Sequence, residues 1–139
     1  MGLQEIEHLQ LLIGNIKTIL EPICSNKGLF FRIRYNWSAA DINVDFMDLQ
    51  TISLNILNTA MVNTSDGGIL FDIIEKDNQW DFDITNSYSA VEESDLSFMR
   101  DTKGLCLNIA KELIQKYDGN LTLQSEIGKT GIFKFTIPK

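Results

Sequence analysis

A polar stretch that follows an alternating segment is the first candidate for chemistry in this sequence. Residues 81–96 read DFDITNSYSAVEESDL. Phe82 and Ile84 alternate with Asp83 and Thr85, as in a β-strand with one buried face. The segment then passes into small polar residues, a tyrosine and an acidic run, without a glycine. The sequence alone leaves two interpretations open, a plain loop or an altered ligand site held at the end of a strand.

A second candidate is the segment around Gly104, which precedes an apolar pattern of helical period. The free backbone amides and the dipole at a helix N-terminus favour an anion. The charged residues expected nearby are three cations and three acids: Arg100, Lys103, Lys129, Glu92, Glu93 and Asp95. An anion site is therefore physically available, with little net positive charge to support it.

The composition excludes several other kinds of site. The chain has 139 residues and a net charge of −7, which fits one globular domain and disfavours nucleic acid or an anionic membrane as partner. Cys24, Cys106 and His8 lack the spacing of zinc ligands, so we expect reduced, buried thiols and no zinc site. No apolar run reaches about 18 residues, so we expect no membrane span. The expected reduced thiols are typical of a cytoplasmic domain.

The elements that must position these residues follow from the apolar periodicity. Residues 4–9, QEIEHL, are typical of a short leading strand, and residues 9–23 have helical spacing up to a stop at SNKG. The strand LFFRIRYNW follows, and then a second helix from about Asp45. The predicted buried face of that helix is formed by Leu49, Ile52, Ile56, Leu57 and Ala60. Residues 69–85 are predicted to form a hairpin that turns at residues 76–78.

The last third of the chain predicts a third helix and a closing hairpin. Along one stripe of this helix lie Leu105, Ile109, Leu113 and Tyr117, and Gly119 is expected to cap its C-terminus. The closing hairpin turns at residues 128–131. The order (β)αβαββαββ predicts a single α+β domain over residues 1–139. Its two layers are a mixed, mostly antiparallel sheet and three main helices on one face of it.

Several strings in this order of elements resemble the catalytic, ATP-binding domain of sensor histidine kinases, which belongs to the Bergerat-fold ATPases of the GHKL superfamily. The segment KGLCLNIAKELIQKYDGNLTLQSEIGKTGIFKFTIPK resembles the family's second glycine box with its helix, its serine-acid-x-glycine-x-glycine hairpin and its closing F-x-F-x-x-P. The segment DFMDLQTISLNILNTAMVNTSDGG resembles the asparagine box. The resemblance covers residues 4–139 and implies the two-layer Bergerat sandwich.

The resemblance places the family's magnesium-binding asparagine at Thr59, in register with Asp45 and Asn55. A threonine hydroxyl can ligate Mg²⁺, although it is a weaker donor than an amide oxygen. Asn58 is adjacent but turned by about 100° onto another helix face, and Val62 replaces a lysine of the family. Thr59 is alternatively a core threonine that bonds the backbone carbonyl four residues back. The two asparagines are alternatively solvated or packing amides.

The family's first glycine box falls on residues 86–90. Asn86 replaces the aspartate that accepts a hydrogen bond from the adenine amino group, and it keeps a carbonyl oxygen without the charge. Tyr88 and Ala90 replace glycines at positions where the backbone must approach the base closely. Tyr88 is expected to fill the vestigial adenine cavity or, alternatively, to stack on a ligand.

The lid and the second glycine box are also altered. The lid, residues 92–103, is short for a loop that closes over phosphates. Gly104 remains, whereas Cys106 replaces a glycine, either as a small buried residue or as a reactive thiol. The resemblance predicts no catalytic residue and one candidate magnesium ligand, Thr59. The predicted nucleotide site, vestigial or divergent, comprises Asn55, Asn58, Thr59, Asn86, Tyr88, Ala90, Lys103, Gly104, Leu105, Cys106 and Thr130.

Two functions are implied by the resemblance. The first is a pseudo-ATPase without a resident cofactor, which acts as a protein-interaction module in a phosphorelay. The second is a divergent, active domain that binds ATP and Mg²⁺ and phosphorylates a histidine on a separate helical domain. An anti-sigma-factor-like serine kinase is a third alternative, but it would need the aspartate and asparagine intact.

Both main hypotheses imply the same partners, a histidine-containing helical domain or a response regulator. His8 lacks the histidine-acid pair of the family's acceptor helix, and residues 1–139 contain no predicted dimerisation helices. The chain is therefore expected to be the cytoplasmic part of a larger sensor protein, or to work with a partner that supplies those helices.

Overall fold

Helices cover one face of a five-stranded sheet in this protein. The computed structural model describes residues 2–37, 42–62, 64, 66–87, 104–124 and 131–139. The elements are α1 (Gly2–Asn26), β1 (Phe30–Asn36), α2 (Phe46–Val62), β2 (Gly68–Glu75), β3 (Gln79–Asn86), α3 (Gly104–Lys116), β4 (Asn120–Gln124) and β5 (Gly131–Pro138). The strand order is β1-β2-β3-β5-β4. Only β1 and β2 pair in parallel among these strands, so the predicted α+β fold with a mostly antiparallel sheet is confirmed.

The predicted leading strand is wrong, because residues 4–9 belong to α1. Leu9 is buried together with Leu12 and Ile16, and this spacing continues the helical stripe that the strand interpretation interrupted. His8, expected at a strand edge, lies in the same helix. Although α1 has 25 residues, no helix of the described ranges is both long and apolar enough to cross a membrane.

The predicted stop after α1 is confirmed. Gly28 adopts a left-handed conformation with φ of 72°. The Leu29 N–H donates to the Cys24 carbonyl at 2.8 Å, and the Gly28 N–H donates to the Ser25 carbonyl at 3.0 Å. These two bonds satisfy carbonyls of the last helical turn in a Schellman motif, which ends α1 directly before β1.

Asp45 caps the N-terminus of α2. Its Oδ1 accepts the N–H groups of Met47 at 2.9 Å and Asp48 at 3.3 Å, which would otherwise lack partners in the first turn. The predicted apolar face of α2 is confirmed, since Leu49, Ile52, Ile56, Leu57 and Ala60 are all buried.

The core lies between the helices and the inner face of the sheet. Phe71, Phe82 and Phe135 come from three adjacent strands and are fully buried. The rings of Phe82 and Phe135 stack with centroids 4.4 Å apart. Such cross-strand aromatic contacts fix the register of the sheet, because a slip by one residue would move every ring to the other face.

The predicted buried stripe of α3 is partly wrong. Ile109 is 40% exposed, and from residue 107 onwards, where the side chains of this helix are described, the buried residues are Ala110 and Ile114. Leu113 and Tyr117 are partly buried against the core, as expected. The helix is therefore rotated by about one residue from the predicted orientation, which a small alanine permits because it allows close helix approach.

The predicted cap of α3 is displaced by one residue. Asp118, not Gly119, adopts the left-handed conformation, with φ of 61°. The N–H of Asp118 donates to the Gln115 carbonyl and that of Gly119 to the Ile114 carbonyl, each at 3.0 Å. Gly119 is required for another reason, because a Cβ there would collide with the Thr136 carbonyl of β5.

Candidate functional site

The C-terminal ends of α2 and β3 lie at the same end of the sandwich. After α2 ends at Val62, the chain enters β2 at Gly68. The Gly68 carbonyl accepts the N–H of Ser87, directly after β3, at 3.0 Å. The fold therefore brings Thr59, in the last turn of α2, and Asn86, the last residue of β3, to one end of the molecule.

Thr59 is 4% exposed. Its Oγ1 donates to the Asn55 carbonyl at 2.9 Å, which confirms the predicted bond to the preceding helical turn. Asn55 is half-buried, and Asn58 is exposed. The two candidate metal-binding positions, residues 58 and 59, therefore face different environments, and the hydroxyl hydrogen of Thr59 is engaged within its own helix.

Lys27 supplies a cation to the end of α2. Its Nζ donates to the Met61 carbonyl at 2.8 Å, two residues beyond Thr59. A cation at a helix C-terminus is favourable because it offsets the negative end of the helix dipole. The contact of Lys27 was not predicted from the sequence, because Lys27 lies in the segment that ends α1, 34 residues before Met61. No periodic pattern connects it to α2.

Asn86 is the most unusual polar residue of the site. It is 1% exposed, and neither its Oδ1 nor its Nδ2 has a hydrogen-bond partner among the described residues. In the sheet it lies opposite Ile69 of β2 and Gly131 of β5. A buried amide that has no partner costs about 1–3 kcal/mol. Chemically it offers one acceptor and one uncharged donor group to a partner.

A second buried polar group lies further back on α2. Ser53 is fully buried, and its Oγ lacks a partner within the described part of the chain. It stands four residues after Leu49 on the predicted buried face, so the helical period was a sufficient signal for its burial. In sequence, the nearest residue of the predicted nucleotide set is Asn55, two positions away.

The structure describes only part of the predicted nucleotide site. Gly104 begins α3, as expected for a helix N-terminus. Four residues of the predicted set lie outside the described residues: Tyr88, Ala90, Lys103 and Thr130. The side chains of two more, Leu105 and Cys106, also lie outside them. Among the described residues, no group of three or more His, Cys, Asp or Glu side chains could hold a metal ion.

A row of charges crosses the open face of the sheet, opposite the helices. Asp83 lies directly between Asp72 of β2 and Lys134 of β5. Its Oδ1 is buried and has no hydrogen-bond partner in the described ranges. Burial raises the pKa of Asp83, and the nearby carboxylates of Asp81 and Asp72 raise it further against the effect of Lys134. The alternating pattern placed Asp83 on the open face but did not reveal its carboxylate neighbours.

The next carboxylate on β3 behaves differently. Burial acts to raise the pKa of Asp81, but hydrogen bonds from Lys76 and Gln79 outweigh it, and the pKa lies below the ordinary aspartate value. The Lys76 Nζ lies 2.9 Å from Asp81 Oδ2. Asp81 is therefore a paired carboxylate, whereas Oδ1 of Asp83 has no hydrogen-bond partner among the described residues.

A polar joint fastens the start of α2 to the end of α3. Tyr117 Oη donates to Asp48 Oδ2 at 2.5 Å, and Lys116 Nζ donates to the same oxygen at 2.9 Å. The Asp45 N–H in turn donates to Tyr117 Oη at 3.2 Å. The tyrosine hydrogen bond, followed by that of the lysine, lowers the pKa of Asp48. This joint orients α3 against α2, on the opposite side of α2 from its Thr59 end.

Comparison with known proteins identifies the fold. No family model and no curated protein sequence matches the chain. The catalytic domain of histidine kinase ThkA is similar in structure, with a TM-score of 0.81 and 18% identity over 95% of this chain and 92% of that chain. ThkA in complex with the response regulator protein TrrA matches with a TM-score of 0.74 and 19% identity, over 94% of this chain and 40% of that one.

Full-length ShkA in complex with AMPPNP is a third similar structure. Its TM-score is 0.81 at 22% identity, and the match covers 94% of this chain and 30% of that chain. At these identities the similarity establishes the fold, which is that of histidine-kinase catalytic, ATP-binding domains. The Bergerat-type sandwich predicted from the sequence is thereby confirmed.

Proposed function

We propose that this chain is a histidine-kinase-type ATPase domain of two-component signalling that acts as a protein-interaction module in a phosphorelay, with its nucleotide chemistry weakened or lost. Support comes from a retained fold combined with replacements at the nucleotide positions of the family. The replaced positions are Thr59, Val62, Asn86, Tyr88, Ala90 and Cys106.

The observation that carries the proposal is the setting of Thr59. Its side chain is 4% exposed, and its hydroxyl donates to the Asn55 carbonyl within the helix. To ligate Mg²⁺ it would have to present a lone pair from this buried position, where an asparagine would instead project a longer amide. A weak ligand in a closed position favours a domain without resident ATP or Mg²⁺.

The described residues at this end of the molecule offer little positive charge, which also supports the proposal. Val62 stands where the family has a lysine, and it is 41% exposed. The Lys27 ammonium caps α2 through the Met61 carbonyl. Because phosphoryl transfer depends on positioning and charge neutralisation, the loss of the family's lysine at Val62 and the engagement of Lys27, both within the described part of the chain, disfavour it.

The proposed partners are a histidine-containing helical domain or a response regulator. ThkA, which shares the fold, forms a complex with the response regulator TrrA. A domain of this fold that no longer turns over nucleotide can still present the surfaces that dock such partners. Partner contact therefore remains as the function when nucleotide chemistry is removed.

One observation favours the alternative, an active divergent domain that phosphorylates a histidine on a separate helical domain. The buried carboxamide of Asn86 has no partner among the described residues, and an adenine edge that presents an amino group beside a ring nitrogen would satisfy both its oxygen and its nitrogen. In this alternative, Thr59 or Asn58 would hold the magnesium ion. ShkA, of the same fold, was solved with AMPPNP.

An NMR titration distinguishes these proposals. The ¹⁵N-labelled chain is titrated with ATP to millimolar concentration, with and without Mg²⁺, and the amide signals of Thr59 and Asn86 are followed. The pseudo-ATPase proposal predicts no saturable shift at either amide. Saturable, magnesium-dependent shifts at both would contradict it and support the active alternative. GTP serves as the control for non-specific binding of a triphosphate.

A further inference from the structure

The free edge of β1 is the longest unpaired strand edge of the described sheet. β1 pairs with β2 alone among the described strands, whereas the opposite edge strand, β4, has five residues. The Phe30 N–H donates to the Gly67 carbonyl at 3.1 Å, on the β2 side. Because successive residues of a strand direct their N–H and C=O groups to opposite edges, Phe31, Ile33 and Tyr35 direct theirs outward.

The two faces of this edge differ in chemistry. On the open face lie Arg32 and Arg34, both exposed. Arg34 is in register with Asp72, and its side chain remains 65% exposed although it bonds that carboxylate at 2.7 Å. On the helix face lie Phe31 and Ile33, which are partly buried against the core, and Tyr35, which is 57% exposed. A strand laid along β1 would thus meet arginines on one face and apolar side chains on the other.

The charge of this edge selects against a second copy of the chain. Two β1 edges paired antiparallel about a two-fold axis would place the arginines of both copies on the same face, and facing like charges destabilise a strand pair. Positively charged side chains are a common means of preventing such self-pairing. An acidic partner strand would experience the opposite effect, since it would gain cross-strand ion pairs.

We propose that the β1 edge is a docking site for an extended segment of a partner protein in which acidic and apolar residues alternate. The segment adds to the sheet as a further strand, with main-chain hydrogen bonds to Phe31, Ile33 and Tyr35. Its acidic side chains lie opposite Arg32 and Arg34, and its apolar side chains extend the helix-face contact of Ile33 and Tyr35. The edge begins level with Asn86, since Phe31 pairs with Ile69 and Ile69 pairs with Asn86. Strand β2 lies between them, and the contacts of the docked segment do not involve Asn86, so the proposal holds whether or not nucleotide binds.

The edge of β4 does not offer the same selectivity. Its exposed residues are Asn120, Thr122 and Gln124, which carry no charge. A segment that bound there would gain main-chain hydrogen bonds but no preference for acidic side chains. Binding at β1 and at β4 is therefore separable by charge.

Fluorescence anisotropy with two labelled peptides tests the proposal on the full chain. One peptide alternates aspartate with valine, and the other has lysine in place of each aspartate. We expect the acidic peptide to bind at least about tenfold more tightly than the basic one. Amide hydrogen exchange with the acidic peptide bound should show new protection at Phe31, Ile33 and Tyr35.

Charge reversal makes the test independent of folding defects. Arg32→Glu should reverse the preference, so that the basic peptide binds more tightly, a gain that an unfolded variant could not show. Lys111→Glu, the same charge change at an exposed position of α3, should leave the preference for the acidic peptide intact. Equal binding of both peptides, protection on β4 instead of β1, or an unchanged preference in Arg32→Glu would each overturn the proposal.

Discussion

Replacing Asn86 by leucine tests the structural basis of the candidate site. Asn86 is 1% exposed, and both polar atoms of its side chain lack partners among the described residues. Leucine has a similar size and shape and no hydrogen-bonding group. We therefore expect Asn86→Leu to increase the free energy of unfolding, because the variant no longer buries an unpaired amide.

The size of the effect follows from the cost of that amide. An unpartnered buried polar group costs about 1–3 kcal/mol. With about 2.1 cal/mol/K of unfolding entropy per residue near the melting temperature, the 139 residues give about 0.29 kcal/mol/K. A gain of about 1–3 kcal/mol then corresponds to a rise in melting temperature of about 3–10 °C. Urea denaturation followed by circular dichroism measures the free energy, and a thermal melt measures the shift.

The control is the same substitution at an exposed asparagine. Asn108 lies on the exposed surface of α3, and Asn108→Leu should change the free energy of unfolding by less than about 0.5 kcal/mol. Unchanged or reduced stability of Asn86→Leu would refute the reasoning, since it would mean that the carboxamide of Asn86 is hydrogen-bonded in solution.

Three further substitutions probe the sheet, the helix joint and the close backbone contact. Asp83→Asn should raise the free energy of unfolding by about 0.5–1 kcal/mol at pH 7. The folded-state pKa of Asp83 is raised, so this gain in stability over the wild type should vanish as the pH falls through that pKa towards the ordinary value of 3.8. Asp48→Asn should lower the free energy of unfolding by about 1 kcal/mol at pH 7, because the hydrogen bond from Tyr117 is weakened. The folded-state pKa of Asp48 is lowered, so the difference in stability between variant and wild type should persist down to about pH 3.8 and disappear below it. Urea titrations of both variants and the wild type at pH 7 and at acid pH check these signs, and the opposite pH trend would contradict either one. Gly119→Ala should lower the free energy of unfolding by about 2 kcal/mol or more, and the melting temperature by several degrees, because its Cβ would collide with the Thr136 carbonyl. A melting temperature within a degree of the wild-type value would contradict that contact.

Much of the fold could be predicted because local signals agreed with the final packing. The approximate start of α2 near Asp45 and its buried face followed from apolar residues at helical spacing. The hairpin of β2 and β3 followed from alternation on both sides of a polar turn. Prediction failed where a short segment suited two structures: residues 4–9 were too few to distinguish a leading strand from a helix, and they belong to the longer helix α1.

The orientation of α3 could not be predicted for a similar reason. Ile109 suits a buried stripe better than Ala110 by hydrophobicity, but close approach to the rest of the core favours the smaller residue. Asp118 rather than Gly119 adopts the left-handed conformation, and Gly119 instead contacts β5 closely. This depends on the position of β5, which a local sequence pattern does not contain.

The candidate site was predictable in position and only partly in chemistry. Sequence strings placed Thr59 and Asn86 at the ends of two elements, and the fold brings those ends together. The capping of α2 by Lys27 and the burial of Asn86 without a partner among the described residues depend on the packing of distant segments, so a local sequence pattern does not reveal them.

Isothermal titration calorimetry of the wild-type chain with ATP and with a non-hydrolysable analogue tests the central proposal most directly. Each titration is made with and without Mg²⁺, at protein concentrations that detect dissociation constants up to about 1 mM. We expect no binding heat up to millimolar nucleotide. Saturable binding with a Kd of about 50 μM or tighter, dependent on Mg²⁺, would contradict the proposal that nucleotide chemistry has been weakened or lost.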